Sequence, residues 1–461
     1  MTDDVVKIYD EGASVLRVSE VEGPRGPRGP RGPRGLRGEQ GEPGPEGPQG
    51  EPGGSDEQVA SYVLDEASQT RAALSDSWLP GEVASPSSSV RGVLDEVYVR
   101  TAPTGSATIV LGDSIDQDNA GWFTRLTIQS NQRVKYLRNA GVGGDKTAQM
   151  LARLSTDVLA YGPDICIFGG ATNDIGTGVP AETTRLNIMA IAEALVSAGV
   201  IPVVRTTPPA NSAGTLPSVA ARREATEAHN DWIAAWALRS GIPLLDMATP
   251  LTDAATGGLA AAYSLDGIHP NQAGHQAVVD YLLPRLPAVF NGSVVLARSK
   301  GEAGQVLWGR NGVFVGDANA DGLADGWNPS SGTGTFALEA ATLPVLGNWQ
   351  VLESTGTGVH LAFQDDQGSI VAGHTYEVVG RIDFPGGAGQ VANVVIGNMG
   401  PGVTQVELGR FSDVGVAGIF RACVTPSAAS LRVILQTRTT PGSRARFAQV
   451  IVRDLTALGL V

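Results

Sequence analysis

The sequence predicts a multidomain chain with a collagen-like triple helix, an α/β three-layer domain on a parallel sheet, and an all-β sandwich of the jelly-roll type. Three observations carry this. Glycine recurs at every third position from Gly23 to Gly53. Short β-branched runs alternate with helical stretches over residues 105–290, the pattern of a parallel sheet covered on both faces. From about residue 296 the helical pattern stops, and short alternating runs separated by glycine-bearing turns replace it. The length of 461 residues accommodates about three domains.

The glycine period is the most specific of the three signals. Ten triplets run without a break from Gly23 to Pro52, four of them Gly-Pro-Arg. Three extended chains wind together only where the axial residue lacks a side chain, so residues 23–54 predict a triple helix and hence a homotrimer. The rod is roughly 90 Å long at its rise per residue. Residues 1–22 read as an N-terminal docking arm. Over residues 55–78, Val59, Val63, Ala67, Thr70 and Leu74 form one apolar stripe, either a trimerising helix or one that docks on the next domain. Residues 79–104, rich in serine and proline, read as a linker.

Charge and cysteine content narrow the function. A net charge of −14 argues against a nucleic-acid binder, which needs a basic footprint. No run of eighteen apolar residues is present, so membrane insertion is not expected. The acidic start Met1-Thr2-Asp3-Asp4-Val5 lacks a secretory pattern. The two cysteines, Cys166 and Cys423, fall in different predicted domains, which argues against a disulfide framework.

Within 105–290, Thr108–Leu111, Val134–Leu137, Ile165–Phe168, Val200–Arg205 and Ile242–Leu245 read as strands. Thr183–Ala198 and Val219–Arg239 read as helices. Polar motifs follow the first three strands, at the sheet edge where such folds place their sites. Ser114, in Gly112-Asp113-Ser114, offers a hydroxyl that becomes a nucleophile only beside a base. His269 is the natural base, and Asp266, three residues earlier, can fix its tautomer and stabilise the imidazolium. Negative charge developing on an attacked carbonyl needs preset donors. The backbone N–H groups of Ser114 and Gly144 and the amide of Asn173 are the candidates.

These motifs resemble those of the SGNH hydrolases, also called GDSL-type esterases and lipases. Gly112-Asp113-Ser114-Ile115 matches the first block, Asn139 to Gly144 the second, Ala171-Thr172-Asn173-Asp174 the third and Asp266 to His269 the fifth. In the third block alanine stands where glycine is usual. The resemblance implies Ser114 as nucleophile, His269 as base, Asp266 as its orienter, and Ser114, Gly144 and Asn173 as oxyanion hole. Motif register favours Gly144 over Gly143. No catalytic metal is implied, and no zinc-spaced His/Cys cluster occurs.

The stretch 296–461 is similar to jelly-roll carbohydrate-binding modules in its eight short strand-like runs, with a purely structural or trimerising sandwich as the alternative. It opens with Asp317, Asn319, Asp321 and Asp325 in a glycine-bearing loop. Alternating oxygen ligands suit a structural Ca2+ ion, and the pattern resembles dockerin and thrombospondin type 3 loops. Asn328 at the twelfth position departs from a full EF-hand. The whole arrangement is similar to a bacteriophage minor tail or tail-fibre protein, present in the virion and released by lysis. That resemblance implies a trimeric esterase removing acyl groups, O-acetyl foremost, from host surface polysaccharide, with the N-terminal arm meeting other tail proteins. A non-catalytic receptor-binding spike and a lipase or thioesterase are the alternatives.

Overall fold

The computed structural model describes residues 107–461 apart from 293, 295, 298–310, 331, 367–368, 398–404, 439 and 460–461. The docking arm, the collagen-like repeat, the 55–78 helix and the linker lie outside the described residues.

The first part of the chain alternates strands and helices as expected. The strands are β1 (Ala107–Gly112), β2 (Lys135–Gly141), β3 (Ile165–Gly169), β4 (Ile201–Arg205) and β5 (Leu244–Leu245). They form one parallel sheet of order β2-β1-β3-β4-β5. The helices are α1 (Ser114–Gln117), α2 (Trp122–Gln129), α3 (Thr147–Ala152), α4 (Leu154–Asp157), α5 (Thr172–Gly176), α6 (Ala181–Ser197), α7 (Val219–Ser240) and α8 (Gln272–Leu282).

Because strand side chains alternate, each central strand feeds two cores. Val110, Ile165, Ile167, Ile201 and Val203 face one cluster with Trp122, Phe123 and Leu126 of α2 and Val278, Val279 and Leu282 of α8. Ile109, Leu111, Cys166, Phe168 and Val204 face the other, with Met150 of α3, Leu154 of α4, Ile188, Ile191 and Leu195 of α6, and Ile233 of α7. This is the three-layer α/β architecture, and it leaves the carboxyl ends of β1, β2 and β3 to carry loops.

The C-terminal part is all-β and antiparallel, but its strands are not the eight short ones expected. They are β6 (Asn328–Pro329), β7 (Gly334–Ala340), β8 (Asn348–Ser354), β9 (Val359–Asp366), β10 (Tyr376–Gly397), β11 (Gln405–Val424), β12 (Leu431–Arg438) and β13 (Arg444–Asp454). The run β6-β9-β12-β10-β13-β8-β7 is continuous, with β11 pairing β10. Two expected strands, 376–383 and 391–396, are one strand of 22 residues. Likewise 405–408 and 418–424, parts of two more of the expected runs, belong to a single strand of 20 residues. The glycines at 386, 387 and 389 read locally as a turn. The chain instead stays paired through register shifts between Gly387 and Val391 and between Ala392 and Val394, bulges that bend the hairpin. The first half of β10 therefore pairs with β13 and the second half with β12, curling one sheet on itself.

The curled sheet is packed on the first layer of the α/β part. One hydrophobic cluster runs from Val110 and Phe123 into Phe411, Val416 and Phe420 of β11. Polar contacts reinforce the join. Arg125 of α2 donates to the carbonyls of Gly415 at 2.9 Å and Val414 at 3.2 Å, and Gln132 to that of Ile419 at 2.6 Å. Arg421 donates to the carbonyl of Tyr136.

Candidate active site

The site is assembled at the carboxyl ends of β1, β2 and β3. β1 ends at Gly112, and Asp113 caps α1 by accepting the Ile115 N–H at 2.9 Å. This turn presents Ser114, half-buried, at the start of the helix. The 266–269 turn lies immediately ahead of α8, whose cap is Asn271, accepting the Gly274 N–H at 2.9 Å.

Ser114 Oγ lies 2.8 Å from His269 Nε2. His269 Nδ1 lies 2.7 Å from Asp266 Oδ2. The other carboxylate oxygen of Asp266 accepts the backbone N–H groups of Ile268 and His269, both at 2.9 Å. The backbone N–H of His269, foremost among these bonds, holds the Asp266 carboxyl at about 2, well below the usual carboxylate range. The structure thus joins residues separated by 155 positions into one hydrogen-bonded line. Such a line can withdraw the serine proton through Nε2 while a carboxylate faces the developing imidazolium.

The three expected oxyanion donors follow the ends of three neighbouring strands, Ser114 after β1, Gly144 after β2 and Asn173 after β3. Gly144 follows β2 in a left-handed conformation, φ +83°, and a side chain there would meet open space. A Cβ on its neighbour Gly143 would sit 2.7 Å from Gln117 Oε1 and 3.9 Å from the Ser114 Cβ. Asn173 lies in α5, directly after β3, and its Nδ2 donates to the Asp145 carbonyl at 2.9 Å, tying the two loops together.

Below these residues is a charged cluster to which the sequence reading gave no role. Asp113, Asp116 and Arg205 are all buried. Arg205 Nη2 pairs with Asp116 Oδ2 and lies 3.7 Å from Asp113 Oδ1. Burial pushes the Asp113 carboxyl up to about 6, against the pull of Arg205. The only trace in the sequence is a charged residue closing the apolar run Ile201-Pro202-Val203-Val204.

His229 and His275 are outside this hydrogen-bonded line, and both are buried. Asp317, Asn319, Asp321 and Asp325 stay in one loop. Asp317 accepts the Asp321 and Gly322 N–H groups at 3.0 and 2.9 Å, Asp321 accepts the Leu323 N–H at 2.8 Å, and Asp325 accepts the Ala318 N–H at 2.9 Å. Among the described residues, no three or more His, Cys, Asp or Glu side chains gather closely enough to hold a metal ion.

A parallel sheet bearing a Ser-His-Asp line at its carboxyl edge defines the class. Residues 105–277 match the GDSL-like Lipase/Acylhydrolase family, which supports a GDSL-type acylhydrolase domain over this stretch. Among curated proteins none matches the chain. Solved structures similar to it include a GDSL-like lipase of Bacteroides thetaiotaomicron, 18% identical, covering 43% of this chain and 98% of that one with a TM-score of 0.35. An acetylxylan esterase of Geobacillus stearothermophilus is 16% identical, covering 41% and 98% with a TM-score of 0.34. Another acetyl xylan esterase is 21% identical, covering 39% and 100% with a TM-score of 0.33.

Proposed function

We propose that the chain is a serine ester hydrolase that removes acyl groups, O-acetyl foremost, from a polysaccharide. The observation that carries this is the line Ser114 Oγ–His269 Nε2–Asp266, with both separations under 3 Å, inside a GDSL-type domain. His269 Nε2 takes the Ser114 proton as Oγ attacks the ester carbonyl. The backbone N–H groups of Ser114 and Gly144 and the Asn173 amide receive the charge on the carbonyl oxygen. Collapse breaks the bond to the sugar oxygen, which leaves as an alcohol with the proton from His269. Water, deprotonated by His269, then attacks the acyl-serine; the acyl group leaves as its carboxylic acid and Ser114 Oγ takes the proton back from His269. Asp266 stays ionised throughout and holds the ring.

The glycine period of residues 23–52 supports a homotrimer that carries three such sites on one stalk of a phage tail, where multivalent attachment strengthens weak glycan contacts. The catalytic reading is tested by incubating the full chain with p-nitrophenyl acetate and with purified O-acetylated glycans, beside Ser114→Ala. Wild type is expected to release p-nitrophenolate and acetate, and the variant neither. Equal inertness of both proteins on every ester would leave glycan binding as the function and overturn the proposal.

A further inference from the structure

Arg205 spends its whole guanidinium inside the protein, between the segments that carry the proposed nucleophile and the proposed oxyanion donors. It is the last residue of β4, with none of its surface exposed. One arm reaches α1, where it pairs with Asp116 and approaches Asp113. These two residues flank Ser114 and brace its turn. Asp116 Oδ2 also accepts the Asp113 N–H at 3.1 Å, its Oδ1 accepts the Trp122 indole N–H at 2.9 Å, and Asp113 caps Ile115.

The same guanidinium supports the loop after β3. Gly169 pairs with Arg205 in the sheet, and Gly170 follows at φ +97°. A Cβ on Gly170 would stand 2.5 Å from Arg205 Nη2 and 3.1 Å from Asp113 Oδ2. The backbone three residues before Asn173 therefore rests directly on the ion cluster. The loop after β2 is tied in as well, because Asn139 Nδ2 donates to the Asp116 carbonyl at 2.6 Å and its Oδ1 accepts the Gly141 N–H at 2.9 Å.

Buried ion pairs are poor sources of stability, since desolvation offsets most of the attraction, and apolar replacements of like volume are often neutral. Here the cluster even keeps unsatisfied atoms, as Asp113 Oδ2 and Arg205 Nε have no hydrogen-bond partner. What a planar fork supplies that an apolar side chain cannot is a fixed separation between its partners.

We propose that Arg205, through Asp116 and Asp113, is a positioning residue that sets the spacing between Ser114 and the donors on the loops after β2 and β3. The proposal rests on the ester-hydrolase reading of Ser114. Misplacement of a reacting group by about 1 Å costs roughly 100-fold in rate, so loosening the cluster should lower turnover and leave substrate affinity nearly intact.

Arg205→Met alone strands two buried carboxylates and is a poor test. The deciding variant is Asp116→Asn with Arg205→Met, which removes the close ion pair together and leaves Asp113 as the one buried carboxylate without its cation. Wild type and variant are compared by thermal melting, by kcat and KM on p-nitrophenyl acetate, and by the rate at which diethyl p-nitrophenyl phosphate phosphorylates Ser114. The phosphorylation needs the serine and its oxyanion donors in register, but no deacylation. The expected result is a folded variant with kcat and phosphorylation both lower by about 10- to 100-fold and KM within about threefold. A folded variant whose kcat and phosphorylation lie within about twofold of wild type overturns the proposal. If the double variant does not fold, Arg205→Lys decides, since it keeps the charge and loses the fork. A kcat drop of about fivefold or more at constant KM supports the positioning role, and an unchanged kcat overturns it. Inertness of wild type itself, with Ser114 unlabelled, would instead refute the hydrolase reading.

Discussion

Asp266 grips His269 at two points: one carboxylate oxygen accepts the backbone N–H at 2.9 Å and the other faces ring Nδ1 at 2.7 Å. A single residue thus fixes both the turn and the ring plane of the proposed base. Asp266→Asn retains an oxygen for the backbone bonds but removes the charge that faces the imidazolium. We expect kcat on p-nitrophenyl acetate to fall by about 10²- to 10⁴-fold with little change in KM. A drop smaller than threefold would show that the carboxylate charge is not used.

Asn173 is the one oxyanion candidate whose donor is a side chain, and so the one that substitution can delete cleanly. Asn173→Ala also removes the bond to the Asp145 carbonyl. A loss of about 10²- to 10³-fold in kcat is expected, equivalent to roughly 3–4 kcal/mol of transition-state stabilisation. Steady-state kinetics with Asn173→Asp as the shape-matched control measures it. Activity retained in the alanine variant would remove Asn173 from the oxyanion hole.

The residues legible in the sequence were those that chemistry forces into short motifs after strands. Thr108–Leu111 and Ile165–Phe168 are β-branched or apolar runs ending in glycine, so the sequence alone puts Ser114 and Asn173 just beyond strand ends. Arg205 was not legible as a partner of Asp116, because 89 residues separate them and nothing local distinguishes a buried arginine from a surface one. Gly386, Gly387 and Gly389 misled for a related reason. Turn chemistry is local, whereas the pairing that carries β10 through this stretch comes from β11 across the bulges.

Arg125 shows what the join between the two parts requires. Its guanidinium lies 5.3 Å from the Phe411 ring centroid, donates to two β11 carbonyls and to that of Ala120 at 2.9 Å, and is wholly buried. Arg125→Ala leaves those carbonyls buried without their donor and opens a void. A destabilisation of about 3 kcal/mol is expected from the unsatisfied groups. Urea unfolding followed by tryptophan fluorescence reads it, and a shift below about 1 kcal/mol would show that water replaces the guanidinium at no cost.

Acid should weaken the fold through two histidines outside the catalytic line. Burial lowers His229 to about 4, helped by the nearby Arg185 and Arg205 charges. Burial likewise lowers His275 to about 4, with Asp118 pulling it up and Arg125 pushing it down. Their ordinary value is about 6.5, so between pH 6.5 and 4 the unfolded chain binds the protons and stability falls as pH falls. Asp113 runs the other way. Its folded value of about 6 exceeds the unfolded 3.8, so its contribution is present below pH 3.8 and is lost as pH rises through 6. Asp266, at about 2 in the fold, loses its contribution only as pH falls from 3.8 through 2, below this window. Among these groups, two histidines against one aspartate leave a net loss of about 2 kcal/mol between pH 7 and 5; burial of His360 acts in the same direction and burial of Asp164 against it. Replacing both histidines, His229→Gln with His275→Gln, removes the dominant side, so the variant should hold or gain stability over the same interval. Unfolding free energies at the two pH values decide this, and a double variant that loses as much as wild type would show that these histidines do not drive the acid sensitivity.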